Sequence, residues 1–103
     1  MLTFVQIETA MIFSEIKNKI SPILKKYRIK KAEVFGSYAT QTHSEKSDID
    51  ILVEVEQKTS LLDFIGIKYE LEDALGIPVD LVEYRAIKSA LKENILRSTI
   101  SLL

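Results

Sequence analysis

Two aspartates stand two positions apart in a segment that has the pattern of a β-strand. Asp48 and Asp50 alternate with isoleucine and valine over residues 48–56, which predicts one apolar face and one face that carries both carboxylates. Their backbones would lie about 6–7 Å apart. Carboxylates placed side by side repel each other, and a divalent cation such as Mg²⁺ removes that repulsion. The same pair also fits an exposed edge strand whose charges prevent aggregation.

A second feature that could take part in a reaction lies upstream of this pair. Residues 31–35 have the composition of a short strand, and Gly36 and Ser37 follow it. A strand that ends in Gly-Ser and turns into a helix presents free backbone N–H groups that bind phosphate, and glycine lets the phosphate approach closely. The pair also fits a plain strand-to-helix turn with Ser37 as N-cap. Together with the carboxylates, it predicts a phosphate site beside a metal site.

Asp80 is a third carboxylate, placed in the otherwise apolar strand 79–83. A carboxylate in a buried strand is unfavourable unless it is paired or binds a metal. If this strand pairs beside 48–56, Asp80 joins Asp48 and Asp50. Three carboxylates can hold two divalent ions, which bridge the attacking and leaving oxygens of a phosphoryl or nucleotidyl displacement. The alternative is a strand-end residue whose carboxylate lies in water.

Helical periodicity supplies the elements that must position these residues. A helix over 8–27 is predicted by the spacing of Ile12, Ile16, Ile20, Ile23 and Tyr27. Pro22 should kink that helix, or end it near Ser21. A second helix, over 60–75, is predicted by Leu61, Phe64, Leu71 and Leu75, with Ser60 as its cap and Gly76 as its end.

A third helix is predicted over 86–98, and a polar loop over 42–47 after a short turn at 38–41. The alternation of helices and strands indicates a small sheet covered by helices. The fold class is therefore α/β or α+β, and the prediction is one domain over residues 1–103.

The composition excludes several function classes. With no cysteine, a disulfide framework, a thiolate zinc site and a cysteine nucleophile are ruled out. No apolar run approaches the roughly 18 residues that span a bilayer, and residues 1–10 lack the start of a signal peptide, so we expect a cytoplasmic protein without a membrane partner. A net charge of −1 argues against nucleic-acid binding. The basic run from Lys17 to Lys31 is a solvated face or a docking surface.

The chain resembles the DNA-polymerase-β-like nucleotidyltransferase superfamily in three segments: Gly36-Ser37, Ser47-Asp48-Ile49-Asp50-Ile51-Leu52-Val53 and Val79-Asp80-Leu81-Val82. Its length and layout resemble the smallest members, the minimal nucleotidyltransferases. Those proteins are commonly the antitoxin of a pair whose toxin is a HEPN-domain ribonuclease. The resemblance covers about residues 8–100 and implies a polymerase-β-like fold, with a small mixed sheet flanked by helices.

The resemblance also implies a role for each site residue. The nucleoside triphosphate would be bound by Gly36, Ser37 and Ser47. Two Mg²⁺ ions would be bound by Asp48, Asp50 and Asp80, and Asp80 would also help to activate the acceptor hydroxyl. The implied reaction transfers AMP from ATP to a tyrosine of the HEPN toxin, and pyrophosphate leaves.

One departure from the family pattern leaves an alternative open. Thr40-Gln41 stand where the family often has Arg-Gly, so a phosphate-binding cation is absent there unless Lys46 replaces it. The alternative is a weak or inactive enzyme that neutralises its toxin by forming a complex. Residues 95–103 are unusually apolar for a chain end and predict a terminal helix that packs on the core or contacts a partner. A homodimer or a hetero-complex is therefore expected.

Overall fold

The described part of the chain forms a mixed four-stranded sheet with two helices on one side. The computed structural model describes residues 4–36, 48–87 and 99–103, with the backbone alone for residues 4–13. The helices are α1 (Phe4–Lys26) and α2 (Leu61–Leu75), and the strands are β1 (Lys31–Phe35), β2 (Ile49–Glu54), β3 (Val79–Glu83) and β4 (Ile100–Ser101). A 3₁₀ turn at Tyr84–Ala86 follows β3. The predicted fold class is confirmed.

The strands lie in the order β3-β2-β1-β4. β1 is antiparallel to both β2 and β4, whereas β2 is parallel to β3. Parallel strands need a crossover connection, and α2 provides it. This connection brings the start of β2 next to the start of β3, where the predicted carboxylates lie.

The apolar core lies between the helices and one side of the sheet, which we call the helix face. The sheet contributes alternate residues to it: Ala32, Val34, Ile49, Ile51, Val53 and Val79. The helices contribute Ile16, Ile20, Leu24, Ile67 and Leu71. Within the described ranges, no polar or charged residue is classed as buried. The apolar face predicted for β2 is confirmed, because Ile49, Ile51, Val53 and Val55 are all buried.

Helix α1 runs through Pro22 to Lys26, so the expectation that it ends near Ser21 is wrong. Ile20 and Leu24 are buried on either side of the exposed proline, and their packing holds the helix together across it. Arg28, two residues after the helix, takes the left-handed conformation (φ 53°), and the Ile29 N–H donates to the Leu24 carbonyl at 2.9 Å.

Helix α2 has the predicted ends. The Ser60 hydroxyl accepts a hydrogen bond from the Asp63 N–H at 3.0 Å, and Gly76 closes the helix at φ 71°. The predicted apolar stripe is wrong in one member, because Leu61 is 74% exposed and Ile67 takes the core position. At about 100° per residue, Leu61 lies roughly 120° around the helix from Ile67 and misses the sheet.

The C-terminal segment differs from its predicted helix. Ile100 and Ser101 form β4, and the Leu102 N–H donates to the Ala32 carbonyl at 2.8 Å. Leu102 is 3% exposed, so its apolar side chain fills the core of this chain. Residues 88–98, which carry most of the predicted third helix, lie outside the described residues, as do the predicted turn and loop over 38–47. In the described part of the chain, neither helix could cross a bilayer.

Candidate active site

The parallel pairing of β2 with β3 places two carboxylates side by side. Asp50 is directly opposite Asp80 in the register. Neighbouring strands lie about 4.8 Å apart, so the two side chains are neighbours on the same side of the sheet. We call this side the carboxylate face; it lies opposite the helix face. Asp50 is half-buried and Asp80 is exposed, and the expected pairing of their strands is confirmed.

The charge on Asp50 is unfavourable in this setting. Burial raises the pKa of Asp50 to about 6, and the negative charge of Asp80, a hydrogen bond with Asp80 and the charge of Asp48 add to the rise. Ionising Asp50 in the folded chain therefore costs free energy, and a bound cation would reduce that cost. A carboxylate perturbed by burial and by specific neighbours is typical of functional sites.

Gly36 lies against the Asp50 side chain. It follows Phe35, the register partner of Asp50 in β1, and it has a positive φ of 71°. A Cβ at this position would overlap the Asp50 Oδ2 atom and lie 3.1 Å from its Cγ. Glycine is therefore required twice, by the backbone conformation and by the space that Asp50 occupies. The start of the predicted phosphate-binding turn thus touches the carboxylate pair.

The donor set fits a magnesium ion. Mg²⁺ is usually held by one or two carboxylates and completes its shell with water and substrate phosphates. Asp50 and Asp80 supply that number of ligands. Within residues 4–36, 48–87 and 99–103, no three His, Cys, Asp or Glu side chains form a group that could hold a metal ion. Asp48 is exposed directly before β2 and contributes here as a nearby charge, so its role as a ligand stays a prediction.

Two of the predicted nucleotide-binding residues, Ser37 and Ser47, lie outside the described residues, and so do Thr40, Gln41 and Lys46. The structure therefore brings together Gly36, Asp50 and Asp80 from the predicted set, with Asp48 close enough to influence the charge of Asp50. The nucleotide-binding roles of Gly36, Ser37 and Ser47 remain predictions.

A polar bridge on the carboxylate face was not predicted from the sequence. The Tyr84 hydroxyl donates to Glu33 Oε2 at 2.5 Å, and Lys31 Nζ lies 4.9 Å from the centre of the Tyr84 ring. Burial, the hydrogen bond to Glu33 and the charges of Glu33 and Glu54 raise the pKa of Tyr84, so the phenol stays protonated. The bridge connects the turn after β3 to β1. The alternation in β1 assigns Glu33 to this face, but no local pattern points to Tyr84.

The carboxylate face is also less polar than predicted. Leu52, which alternates with Asp50 along β2, is completely buried, and its register partner Val82 is half-buried. Glu54, near the far end of the strand, is exposed. The carboxylate pair therefore borders an apolar surface, which explains why burial is the largest cause of the raised pKa of Asp50.

Comparison of the sequence with known proteins gives a consistent result. Residues 18–103 match the family described as Polymerase beta, Nucleotidyltransferase. A protein of Methanocaldococcus jannaschii, provisionally named protein adenylyltransferase MJ0435, is 50% identical over 93 residues, which are 90% of this chain and 100% of that protein. Protein adenylyltransferase MntA of Thermococcus cleftensis is 37% identical over 100 residues, which are 97% of this chain and 96% of that protein.

Solved structures show the same similarity in three dimensions. A crystal structure of a toxin–antitoxin with AMP-PNP matches with a TM-score of 0.73 and 28% identity, over 84% of this chain and 72% of that one. A structure of the tri-AMPylated Shewanella oneidensis HEPN toxin in complex with its MNT antitoxin matches with a TM-score of 0.68 and 25% identity, over 88% and 71% of the two chains. The matched range 18–103 contains every predicted site residue.

Proposed function

Because this chain belongs to the polymerase beta nucleotidyltransferase family and is a nucleotidyltransferase, we propose that it transfers AMP from ATP to a HEPN-domain toxin. The proposal rests on one observation above all: the register of β2 and β3 places Asp50 beside Asp80, with Gly36 in contact with Asp50. The names of the relatives and the toxin–antitoxin structures support the choice of AMP and of a toxin as acceptor.

The residues on the carboxylate face support this proposal. Asp50 and Asp80, assisted by Asp48, would hold Mg²⁺, which supplies positive charge to the triphosphate and to the phosphoryl group in transfer. The backbone at Gly36, with Ser37 and Ser47, would bind the β- and γ-phosphates. The absence of a side chain at Gly36 keeps the approach to Asp50 open.

The reaction would form a bond between the acceptor hydroxyl oxygen and the α-phosphorus of ATP. The bond from the α-phosphorus to the oxygen that bridges to the β-phosphorus breaks, and pyrophosphate leaves with that electron pair. Asp80 is exposed beside Asp50, so its carboxylate is placed to accept the proton of the hydroxyl. We propose a tyrosine as the acceptor, in keeping with the resemblance of the sequence to minimal nucleotidyltransferases.

The test is transfer of label from α-³²P-ATP to a purified HEPN-domain toxin, with Mg²⁺ and with EDTA. We expect label on the toxin with Mg²⁺ only, and mass spectrometry should locate AMP on a tyrosine. Asp50→Asn and Asp80→Asn should each lower the rate by at least about 100-fold, because each removes a carboxylate from the proposed metal site. Glu15→Gln is the matched control, since it neutralises an exposed carboxylate on α1.

The alternative function, neutralisation by complex formation alone, gives a different result. In that case the wild-type chain would suppress the ribonuclease activity of the toxin without labelling it, and Asp50→Asn would suppress it equally well. Equal labelling by wild type and by both aspartate variants would show that the transfer site lies elsewhere.

A further inference from the structure

Helix α2 is apolar on two opposite sides. Ile67 and Leu71 face the core, while four large apolar residues on the other side are exposed: Leu61 (74%), Leu62 (81%), Ile65 (37%) and Tyr69 (59%). We call these four residues the outer stripe. Only one other large apolar residue in the described ranges, Leu103, is exposed. A helix with apolar residues on both sides is normally covered on both.

The outer stripe points away from the proposed active site. α2 packs on the helix face of the sheet through Ile67 and Leu71, so its outer side is separated from Asp50 and Asp80 by the core and the sheet. A partner on the outer stripe would leave the carboxylate face open. This position suits a contact that is independent of the acceptor whose hydroxyl must reach Asp80.

The pattern of the outer stripe matches itself when the helix is reversed. Leu61, Ile65 and Tyr69 follow one another every four residues, so a two-fold axis through Ile65 places Leu61 of one copy opposite Tyr69 of the other. Ile65 would then meet its own counterpart. Leu61, Ile65 and Tyr69 therefore each face an apolar residue of the other copy when two α2 helices pack antiparallel.

The charges at the two ends of the outer stripe are complementary in the same arrangement. Lys58 is exposed just before the start of α2, and Asp73 is exposed near its end. In an antiparallel pair, Lys58 of each copy lies near Asp73 of the other. Neither residue makes an ion pair within the described part of its own chain. Complementary ends favour the antiparallel register that pairs the apolar residues.

We propose that the outer stripe is the interface of a symmetric dimer of this chain, with the two-fold axis at Ile65. The stripe exposes on the order of 500 Å² of side-chain surface per copy, so the dimer would bury about 1,000 Å² in total, at the lower end for a specific interface. The dimer is therefore weak, with a dissociation constant in the range of about 1–100 μM.

Sedimentation equilibrium of the purified chain, over a concentration range that brackets about 1–500 μM, tests the dimer. Wild type should shift from monomer to dimer across this range. Ile65→Glu should raise the dissociation constant at least tenfold (about 1.4 kcal/mol), because it places two like charges on the axis. Ser14→Glu, which adds the same charge at an exposed position of α1, should dimerise like wild type.

Charge reversal tests the register without disturbing the stripe. Lys58→Glu and Asp73→Lys should each weaken the dimer, and the double variant should restore it, which a purely structural effect on folding would not do. The chain has no cysteine, so Ile65→Cys should form a disulfide-linked dimer under mild oxidation whereas Ser14→Cys should not.

Three results would overturn the dimer. The first is a monomer at the highest concentration; the second is equal association of Ile65→Glu and Ser14→Glu. The third is a monomeric wild type whose binding to the HEPN toxin is weakened by Ile65→Glu, which would assign the outer stripe to the toxin. Toxin labelling by the dimer-deficient variants distinguishes these results from failure of the proposed transfer activity.

Discussion

The two faces of the sheet differ in how their side chains interact. On the helix face, Ile51 and Val53 are completely buried against α1 and α2, and the buried residues of that core are apolar throughout the described ranges. On the carboxylate face, Asp50 stands beside Asp80, and burial makes its charge costly. Both faces are built from the same strand, β2, by alternate residues. A single strand can therefore stabilise the fold with one set of residues and supply a proposed metal ligand with another set.

This comparison gives opposite expectations for substitutions at adjacent positions. Removing a side chain from the helix face should lower the free energy of unfolding, since the contacts there are favourable. Neutralising a carboxylate on the other face should raise it, since the charges there repel. The predictions below are ordered by the size of the expected change in stability.

Ile51→Ala should lower the free energy of unfolding by about 3 kcal/mol, because it removes a fully buried side chain between Val34 and Leu81 and leaves a cavity. Urea denaturation followed by circular dichroism measures the change. Glu54→Ala, in the same strand but exposed, should change it by less than about 0.5 kcal/mol. A loss below about 1 kcal/mol in Ile51→Ala would show that the helix face is not the main source of stability.

Mg²⁺ and ATP together should stabilise the folded chain by about 2.7 kcal/mol when the ligand is present at 100 times its dissociation constant. Thermal denaturation should show this as an increase in melting temperature, and the increase should be larger than with Mg²⁺ or ATP alone. The Asp48→Asn/Asp50→Asn double variant should melt no lower than wild type without ligand, because it removes repulsion. It should also lose the ligand-induced shift, and a variant that keeps the full shift would place ATP elsewhere.

Gly36→Ala should lower the free energy of unfolding by about 2 kcal/mol, and Gly76→Ala by only about 1 kcal/mol. Both glycines have φ of 71°, but a Cβ at Gly36 meets Asp50 while a Cβ at Gly76 meets nothing within 4 Å. The difference between the two variants, measured in urea, therefore isolates the contact with Asp50. Gly36→Ala should also slow AMP transfer, and equal losses in the two variants would contradict the close approach.

Asp50→Asn should raise the free energy of unfolding at pH 7–8, because it removes an unfavourable charge from the folded chain. The gain should be only about 1 kcal/mol, since solvent screens this half-buried carboxylate. Its folded pKa of about 6 lies above the ordinary value of 3.8. Between these values the folded chain holds a proton that the unfolded chain has lost, so wild-type stability from this group is complete below about pH 4 and is lost as pH rises through 6.

Urea denaturation of wild type and Asp50→Asn at several pH values from 4 to 8 measures this difference. The gain of the variant should grow across the interval and then level off. A variant that becomes less stable than wild type as pH rises would mean that the Asp50 charge is favourable in the fold.

The sequence was most informative where a repeating pattern extends over a whole element. The alternation from Ile49 to Val55 predicted both faces of β2, and the caps Ser60 and Gly76 predicted both ends of α2. β4 was missed because two residues are too short for a pattern, and its strand character comes from pairing with β1. Composition alone assigned this segment to a helix.

Within the site, the pairing of Asp50 with Asp80 could be anticipated, because a carboxylate in an apolar strand is unfavourable unless it is paired or binds a metal. Two contacts could not be anticipated. The approach of Gly36 to Asp50 depends on the antiparallel register of β1 and β2, and the bond from Tyr84 to Glu33 joins residues far apart in the chain. Such contacts depend on the register between strands, and the pattern of side chains along one strand does not specify that register.

The crossover from β2 through α2 to β3 has a consequence for the order of folding. Asp50 and Asp80 are distant in sequence and meet only when β3 docks beside β2. Long-range parallel pairing is slow because chain entropy is lost before contacts form, so we expect this docking to be the last step of folding. Their repulsion opposes this last step. In refolding experiments, binding of a fluorescent ATP analogue should therefore appear with the slowest phase.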